Sequence, residues 1–425
     1  MSKIPSPTFF PDDIITEIIS LLPVKPLLRF QCVSNSWNTL ISDPSFVKFH
    51  LKRSKASPNQ LFTLITNHFT PVEGKKCYYS DWSVVPYPIS SLFENPPTTF
   101  DGYSRYFLNE KDYHHSRIVG SCNGLICLAH HDLTSTHEEY WFRLWNPATR
   151  KISKRIGYSH HPRLAFVFNF GCDDSTCTFK VVASCYTRDE YTSEVKVLTV
   201  GDNVWRNIES FPVVPFGINH RQDDCVFLNS SLNWLAIHKD IQNYLHDEFA
   251  QYYYDIWATF IRDYTIEDLA IVSLDLRTET YNQYLLPQGF DKLPPVEPTV
   301  SVLGECLCFS YFQLETDMVI WQMKKFGVEE SWFQFLKISY HVLQLYYNFS
   351  YNHPRLLPLL LSKDGDSLIL CTTTGGGEEI IYNSKDNSVQ RIVVNVKKTI
   401  TDDESCNVLY LHLAQGYVES LISIC

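Results

Sequence analysis

No stretch of this 425-residue chain approaches the ~20 consecutive apolar residues that a bilayer-crossing helix needs. Its first residues, MSKIPSPTFFPDD, contain neither an apolar segment nor a small-residue cleavage site. An intracellular protein without a membrane partner is therefore expected. Positive charge is also short, with 36 Lys and Arg against 47 Asp and Glu, a formal net charge of -11. Such a field repels phosphate backbones and anionic lipid, which excludes nucleic acid as a main partner.

Catalytic signatures are absent too. There is no G-x-S-x-G elbow and no other nucleophile motif. The glycines of TTTGGGEE, Thr372 to Glu379, are followed by no Gly-Lys-Ser/Thr and by no helix that could receive a phosphate, so a hairpin tip is expected there. The 13 cysteines are odd in number and irregularly spaced, and Cys127 in GLICLAH and Cys371 in LILCTTT sit inside apolar runs. They read as small buried hydrophobes in a reducing compartment rather than as a disulfide framework.

His160, His161, Cys172 and Cys177 are too loosely spaced to argue for zinc. His114-His115 and His130-His131 read as loop histidines, and Asp223-Asp224 and Asp402-Asp403-Glu404 as solvated turns. No catalytic residue, no metal and no cofactor is expected.

With 44% hydrophobic and 14% aromatic residues, the chain can nevertheless bury a full core and hold more than one domain. Its first ~50 residues carry a helical pattern. Asp12 and Asp13 follow Pro11 and favour a helix N-terminus, after which Ile14, Ile18, Leu21 and Leu22 fall on one face and Pro23 ends the run. A second helix is expected from Pro26, with Val33, Trp37, Leu40 and Ile41 in register, and a third after Ser42 or Asp43, carrying Phe46, Val47 and Leu51. Further apolar residues, Ile15, Ile19, Leu27, Phe30 and Cys32, lie off the main faces. A helical unit this small rarely folds alone, so the surplus apolar surface points to docking, either on the chain's own β body or on a partner.

The stretch PDDIITEIISLLPVKPLLRFQCVSNSWNTLISDPSFVKFHLKRS resembles an F-box, through Pro11, Ile18, Leu22, Pro23, Leu27, Leu28, Cys32, Val33, Trp37 and Ile41. The family usually has Leu before the first proline, where this chain has Phe10. The resemblance implies that Phe10, Pro11, Ile18, Leu22, Pro23, Leu27, Leu28, Val33, Trp37 and Ile41 bind a Skp-family adaptor and, through it, a cullin and a RING protein.

From about Leu61 onward, short alternating runs are broken by Asn, Asp, Gly and Thr, the signature of strands and turns; Asp247 to Tyr264 is the strongest helical exception. YWFRLWNPATRKISKR, EVKVLTVGDNVWRNI, AIVSLDLRTETYNQYLL, MVIWQMKKFGVEESWFQFL and EIIYNSKDNSVQRIVV fit one frame, as propeller blades of four strands do. Six to eight blades are compatible with the length. Asn123-Gly124 reads as a hairpin and Asn146 to Arg150 as a tight turn.

VGSCNGLICL, LWNPATRK and the closing YVESL resemble the F-box-associated interaction domain of plant F-box proteins, including those with kelch-like repeats. The expected architecture is a three-helix all-α F-box, residues 1–54, followed by a mainly-β, propeller-like domain, residues 55–425. The resemblance implies a non-catalytic receptor subunit that brings an unnamed protein substrate to a ubiquitin ligase of the Skp–cullin–F-box type. The alternative is a lectin-like or small-ligand propeller, with Tyr252, Tyr253, Tyr254 and Trp257 available for stacking and the F-box used for localisation. A metal-bearing propeller enzyme is a third possibility, for which no ligand set is legible.

Overall fold

A computed structural model describes residues 11–56, 61–71, 78–87, 106–107, 115–133, 138–161, 166–187, 192–216, 225–237, 257, 265–313, 316–343, 355–362, 364–372, 378–393, 395–397 and 406–424. Helices come first: α1 (Asp12–Ile19), α2 (Val24–Gln31), α3 (Asn35–Ser42) and α4 (Pro44–Ala56). The helix expected from Pro26 to Ile41 is thus two, and the head has four helices where three were expected. The break has a local cause. Ser34 is an extended N-cap whose side chain accepts from the Trp37 amide at 3.3 Å, starting α3 anew. Asp43 does the same for α4, its Oδ1 accepting from the Ser45 amide at 2.8 Å and the Phe46 amide at 3.4 Å. Hydrogen bonds from Ser45 hold the Asp43 carboxyl below its usual range. α4 runs past the domain boundary expected at residue 54.

The remainder is strand. After β1 (Leu61–Pro71), β2 (Tyr78–Tyr87) and β3 (Tyr106–Phe107) come five sheets in chain order. The first is β4 (His115–Cys122), β5 (Leu125–Leu133), β6 (Glu138–Asn146) and β7 (Lys151–Ile152), with β8 (Ile156–His161) also on β6. The second is β9 (Val167–Asp173), β10 (Thr178–Thr187), β11 (Thr192–Thr199) and β12 (Trp205–Asn207). The third is β13 (Val214–Pro215), β14 (Cys225–Leu228), β15 (Ser231–Ile237), β16 (Leu269–Asp275) and β17 (Thr280–Tyr284). β18 (Thr299–Leu303), β19 (Cys306–Gln313), β20 (Asp317–Met323) and β21 (Trp332–Ser339) make the fourth, followed by the short helix α5 (Tyr340–Leu343). β22 (Leu356–Leu361), β23 (Ser367–Thr372), β24 (Glu378–Asn383) and β25 (Ser388–Val393) make the fifth.

The sixth sheet joins the two ends of the β body. β26 (Asn395–Lys397) and β27 (Cys406–Tyr417) pair with β1, so that its order is β26-β27-β1-β2-β3. Among the described residues there are six sheets, the low end of the expected range.

Neighbouring sheets are held by the period-2 alternation of their middle strands. In β10, Val181, Ala183 and Cys185 pack toward the first sheet, against Cys127, Ala129 and Phe142, while Val182 turns the other way onto Trp234 and Val272. In β15, Leu232 and Trp234 face back while Leu235 and Ile237 face forward onto Leu307 and Phe309. In β19, Phe309 looks back and Cys308 looks forward, into the cluster of Leu368 and Leu370. Because both faces are covered, every residue of β9, β15 and β16 is buried. A single sheet would leave both faces wet, which is why the sheets stack in sequence.

The five frames read in the sequence are consecutive strand pairs with their connecting turn, one from each of the five sheets: β6–β7, β11–β12, β16–β17, β20–β21 and β24–β25. A recurrent turn chemistry underlies them. Asn146, Asp275 and Asn383 each use Oδ1 to accept the amide two residues on, at 3.1, 2.8 and 2.9 Å. Each turn also holds a left-handed residue: Arg150, Asn203, Glu279, Gly327 or Asn387. At Asn123 and Gly124, φ is 49° and 81°, the two positive values a tight hairpin between β4 and β5 requires.

Candidate functional site

The helical head holds the described surface most at odds with its own fold. α1 has apolar residues on both faces. Ile15, Ile19 and Leu22 turn inward onto Val24, Leu27, Ile41 and Phe46. Ile14 is 45% exposed, Ile18 55% and Leu21 72%, and Val33, just after α2, is 66% exposed. Of the face read as Ile14, Ile18, Leu21 and Leu22, only Leu22 turns inward, whereas Ile15, Ile19 and Leu27, read as off the main face, are in or against the core and Cys32 is exposed. Periodicity gave two apolar stripes and no means of ranking them; packing against α2 and α4 ranks them.

The core side of α1 is pinned by α4. Arg53 forms an ion pair with Glu17, donates to Ser20 Oγ at 2.6 Å and to the Glu17 carbonyl at 2.8 Å, and lies 4.4 Å over the Phe49 ring. His50 is buried, with Nε2 2.9 Å from the Leu22 carbonyl and Nδ1 without a hydrogen-bond partner. Burial pushes its pKa below the ordinary histidine value. The ring is therefore the neutral tautomer that donates from Nε2. These contacts hold α1 with Ile14, Ile18 and Leu21 outward, in i, i+4, i+7 register on one side.

Of the ten residues the resemblance implicated, Phe10 lies outside the described residues. Pro11, Ile18, Pro23 and Val33 are exposed, and Leu22, Leu28 and Trp37 half-buried. Trp37 packs on Phe30 with ring centroids 5.5 Å apart. Leu27 and Ile41 are 0% exposed at the centre of the helical core, where they hold the helices together. Ile14 and Leu21 were not among the ten. Their signal was present, since both share the helical register of Ile18.

His130 and His131 are not in a loop but in β5, where they stack on Trp141 and Tyr140 at 5.6 and 4.7 Å. Cys127 and Cys371 are fully buried, and burial pushes the Cys127 thiol up. Cys308 is raised to about 12 and Cys185 to about 11 by the same cause, which leaves both unreactive. Cys172 is buried against Cys122 and Asn123, whereas Cys177 lies on the turn after β9. β23 and β24 pair as a hairpin, with the tip of TTTGGGEE outside the described residues. Asp223, Asp224, Asp402, Asp403, Glu404 and His114 also lie outside them, as does most of Asp247 to Tyr264.

Trp257 is corrected as a sugar-stacking candidate. It is buried in the core between the third and fourth sheets, and its Nε1 donates to the Pro294 carbonyl at 2.9 Å. Tyr252, Tyr253 and Tyr254 are outside the described residues. Among the described residues, no group of His, Cys, Asp and Glu is placed to hold a metal ion, and no helix is long and apolar enough to cross a membrane.

Residues 9–49 match the F-box domain model, and residues 82–424 match that of the F-box associated beta propeller domain. An F-box/kelch-repeat protein of Arabidopsis thaliana is 28% identical over 347 residues, covering 78% of this chain and 80% of that protein. The F-box protein CPR1 of the same plant is 23% identical over 382 residues, covering 85% and 79%. Among solved structures, the β-propeller domain of the trilobed protease from Pyrococcus furiosus aligns at 8% identity and a TM-score of 0.35, over 67% of this chain and 72% of that one.

Proposed function

The chain belongs to the plant F-box proteins whose β body is an F-box associated beta propeller domain, and from that premise we propose that it is the substrate-recognition subunit of a Skp–cullin–F-box ubiquitin ligase. The F-box binds the Skp-family adaptor and reaches cullin and RING protein through it. The propeller holds a protein substrate for ubiquitination and proteasomal degradation, in the cytoplasm or nucleus.

The observation that carries this reading is the exposed aliphatic stripe of Ile14, Ile18 and Leu21, on a helix already anchored from its other face, with Val33 exposed after α2 as well. Burying one such side chain is worth roughly 1.5–3 kcal/mol, so the stripe can supply a large part of the affinity for an apolar partner surface. The resemblance adds Pro11, Leu22, Pro23, Leu28 and Trp37, which are exposed or half-buried. A receptor of this kind needs no reacting group. It raises the effective concentration of a substrate lysine near the charged conjugating enzyme.

The test is capture of tagged full-length protein from plant cells under proteasome inhibition, wild type beside an Ile18→Asp/Leu21→Asp variant with unchanged thermal unfolding. Adaptor and cullin should accompany only the wild type. Equal recovery with both would overturn the proposal.

A further inference from the structure

The F-box core is incomplete without the far end of the chain. Leu421 is 8% exposed and belongs to the same cluster as Ile19, Val24, Leu27, Ile41 and Phe46, and Ala148 packs against it. α2 begins at Val24, and the preceding N-cap residue, Pro23, offers no side-chain cap. Its first amide, Val24 N–H, is instead accepted by the half-buried Glu419 carboxylate, across almost the whole sequence. A carboxylate there complements both the orphan amides and the positive end of the helix.

The segment carrying these residues is fixed to the propeller. Asn146 Nδ2 donates to the Ser420 and Ile422 carbonyls, both at 3.0 Å, and the Ala148 amide donates to the Tyr417 hydroxyl at 3.2 Å. A Cβ on Gly124 would collide with Ser420 Oγ, so the β4–β5 hairpin also closes on this segment. A second pin joins α4 to the next sheet. Lys55 Nζ lies 3.2 Å from Asp174 Oδ1, and Asn123 Nδ2 donates to that same oxygen at 2.9 Å. Pins on two different helices fix rotation as well as distance.

We infer that Glu419 and Leu421 are positioning residues which, with Lys55 and Asp174, clamp the F-box to one end of the propeller and set the angle at which the Ile14, Ile18 and Leu21 stripe is presented. NPATR, SCNG and YVESL then form one joint: their turns build its floor and the closing segment is its latch. The clamp stands on the intrachain contacts alone. Its consequence, a substrate held at a fixed position relative to the charged conjugating enzyme, rests on the ligase role proposed above.

The experiment compares the full chain with Glu419→Ala/Leu421→Ala, Glu419→Gln and Lys55→Ser, by amide exchange and small-angle scattering. In the double variant, amides of residues 21–28 should exchange roughly fivefold faster, as for a lost helix cap, and the maximum dimension should grow. Peptides from β10, β15 and β19 should stay as protected as in the wild type. Glu419→Gln keeps an oxygen for the Val24 amide and should behave as wild type.

If the double variant unfolds all four helices, Lys55→Ser carries the test, with broader scattering expected and unchanged exchange in α1 to α3. Scattering and α2 exchange that stay unchanged in the double variant, or in the fallback unchanged scattering for Lys55→Ser, would overturn the clamp. Capture of adaptor is read in parallel: its absence from wild type defeats the ligase reading while leaving the clamp measurement intact, and its retention in a loosened variant separates docking from positioning.

Discussion

Asn146 and Ser420 stand 274 positions apart, yet Asn146 Nδ2 donates to the Ser420 carbonyl at 3.0 Å while its Oδ1 accepts the Ala148 and Thr149 amides at 3.1 and 3.2 Å. One fully buried side chain thus closes a local turn with its acceptor and anchors the chain's far end with its donor. Asn146→Asp preserves the turn and sets a carboxylate against two carbonyls; Asn146→Ala loses both halves. Each should destabilise the protein by about 2–4 kcal/mol, since buried partners are left unpaired. Only the aspartate variant should recover when acid protonates it, as read by thermal unfolding at pH 7 and pH 5.

Glu279 ties the second sheet to the third. Lys180 lies 2.8 Å from its Oε1, and Arg206 donates to both oxygens at 2.8 and 2.6 Å. The hydrogen bond from Arg206, with Lys180 beside it, outweighs burial and holds the carboxyl below the usual glutamate value. A depressed carboxyl stabilises the fold above its unfolded value, near 4.5, and the contribution drains away as pH falls through the folded value. Glu279→Gln should cost about 3 kcal/mol at pH 7, by stranding the nearly buried Lys180 ammonium. The difference from wild type should shrink as unfolding is followed below pH 4.5.

His50 titrates in the opposite sense. Its folded pKa is below the ordinary 6.5, so the unfolded chain binds the proton more readily. F-box stability should be fully present above pH 6.5 and decline as pH falls from there toward the folded value. Glu419, raised by burial, works against this decline. In amide exchange of α1 and α4, corrected for intrinsic rates, the advantage of wild type over His50→Gln should narrow between pH 7.5 and 5.5. An unchanged gap would show that His50 stays neutral or carries no stability.

Gly124 and Gly304 both have positive φ, 81° and 56°, but only Gly124 has neighbours where a Cβ would go. Gly124→Ala should lower the melting temperature far more than Gly304→Ala, which bears the backbone strain alone, about 1–2 kcal/mol. Equal shifts would mean that the Val418 to Ser420 segment yields freely.

The β rhythm was legible because it is local. A strand that buries both faces must be apolar along its length, and a tight turn must supply Asn, Asp or Gly at a fixed offset, as at Asn146, Asp275 and Asn383. The Asn123-Gly124 hairpin and the buried Cys127 and Cys371 follow from the same short-range rules. The candidate site was legible in its register but not in its direction. Ile14, Ile18 and Leu21 recur as regularly as Ile15, Ile19 and Leu22, and only the neighbouring helices distinguish outside from inside.

By itself the sequence determined the order of helical head and β body, the turn positions and the set of apolar residues, since each depends on interactions between residues a few positions apart. Tertiary structure alone decided which face of α1 meets solvent, that Leu27, Ile41 and Trp257 are core, that Glu419 caps α2, and that β27 pairs with β1 to join the ends of the β body. Those outcomes turn on contacts between residues far apart in the chain, whose geometry exists only once the sheets have stacked and excluded water from between them.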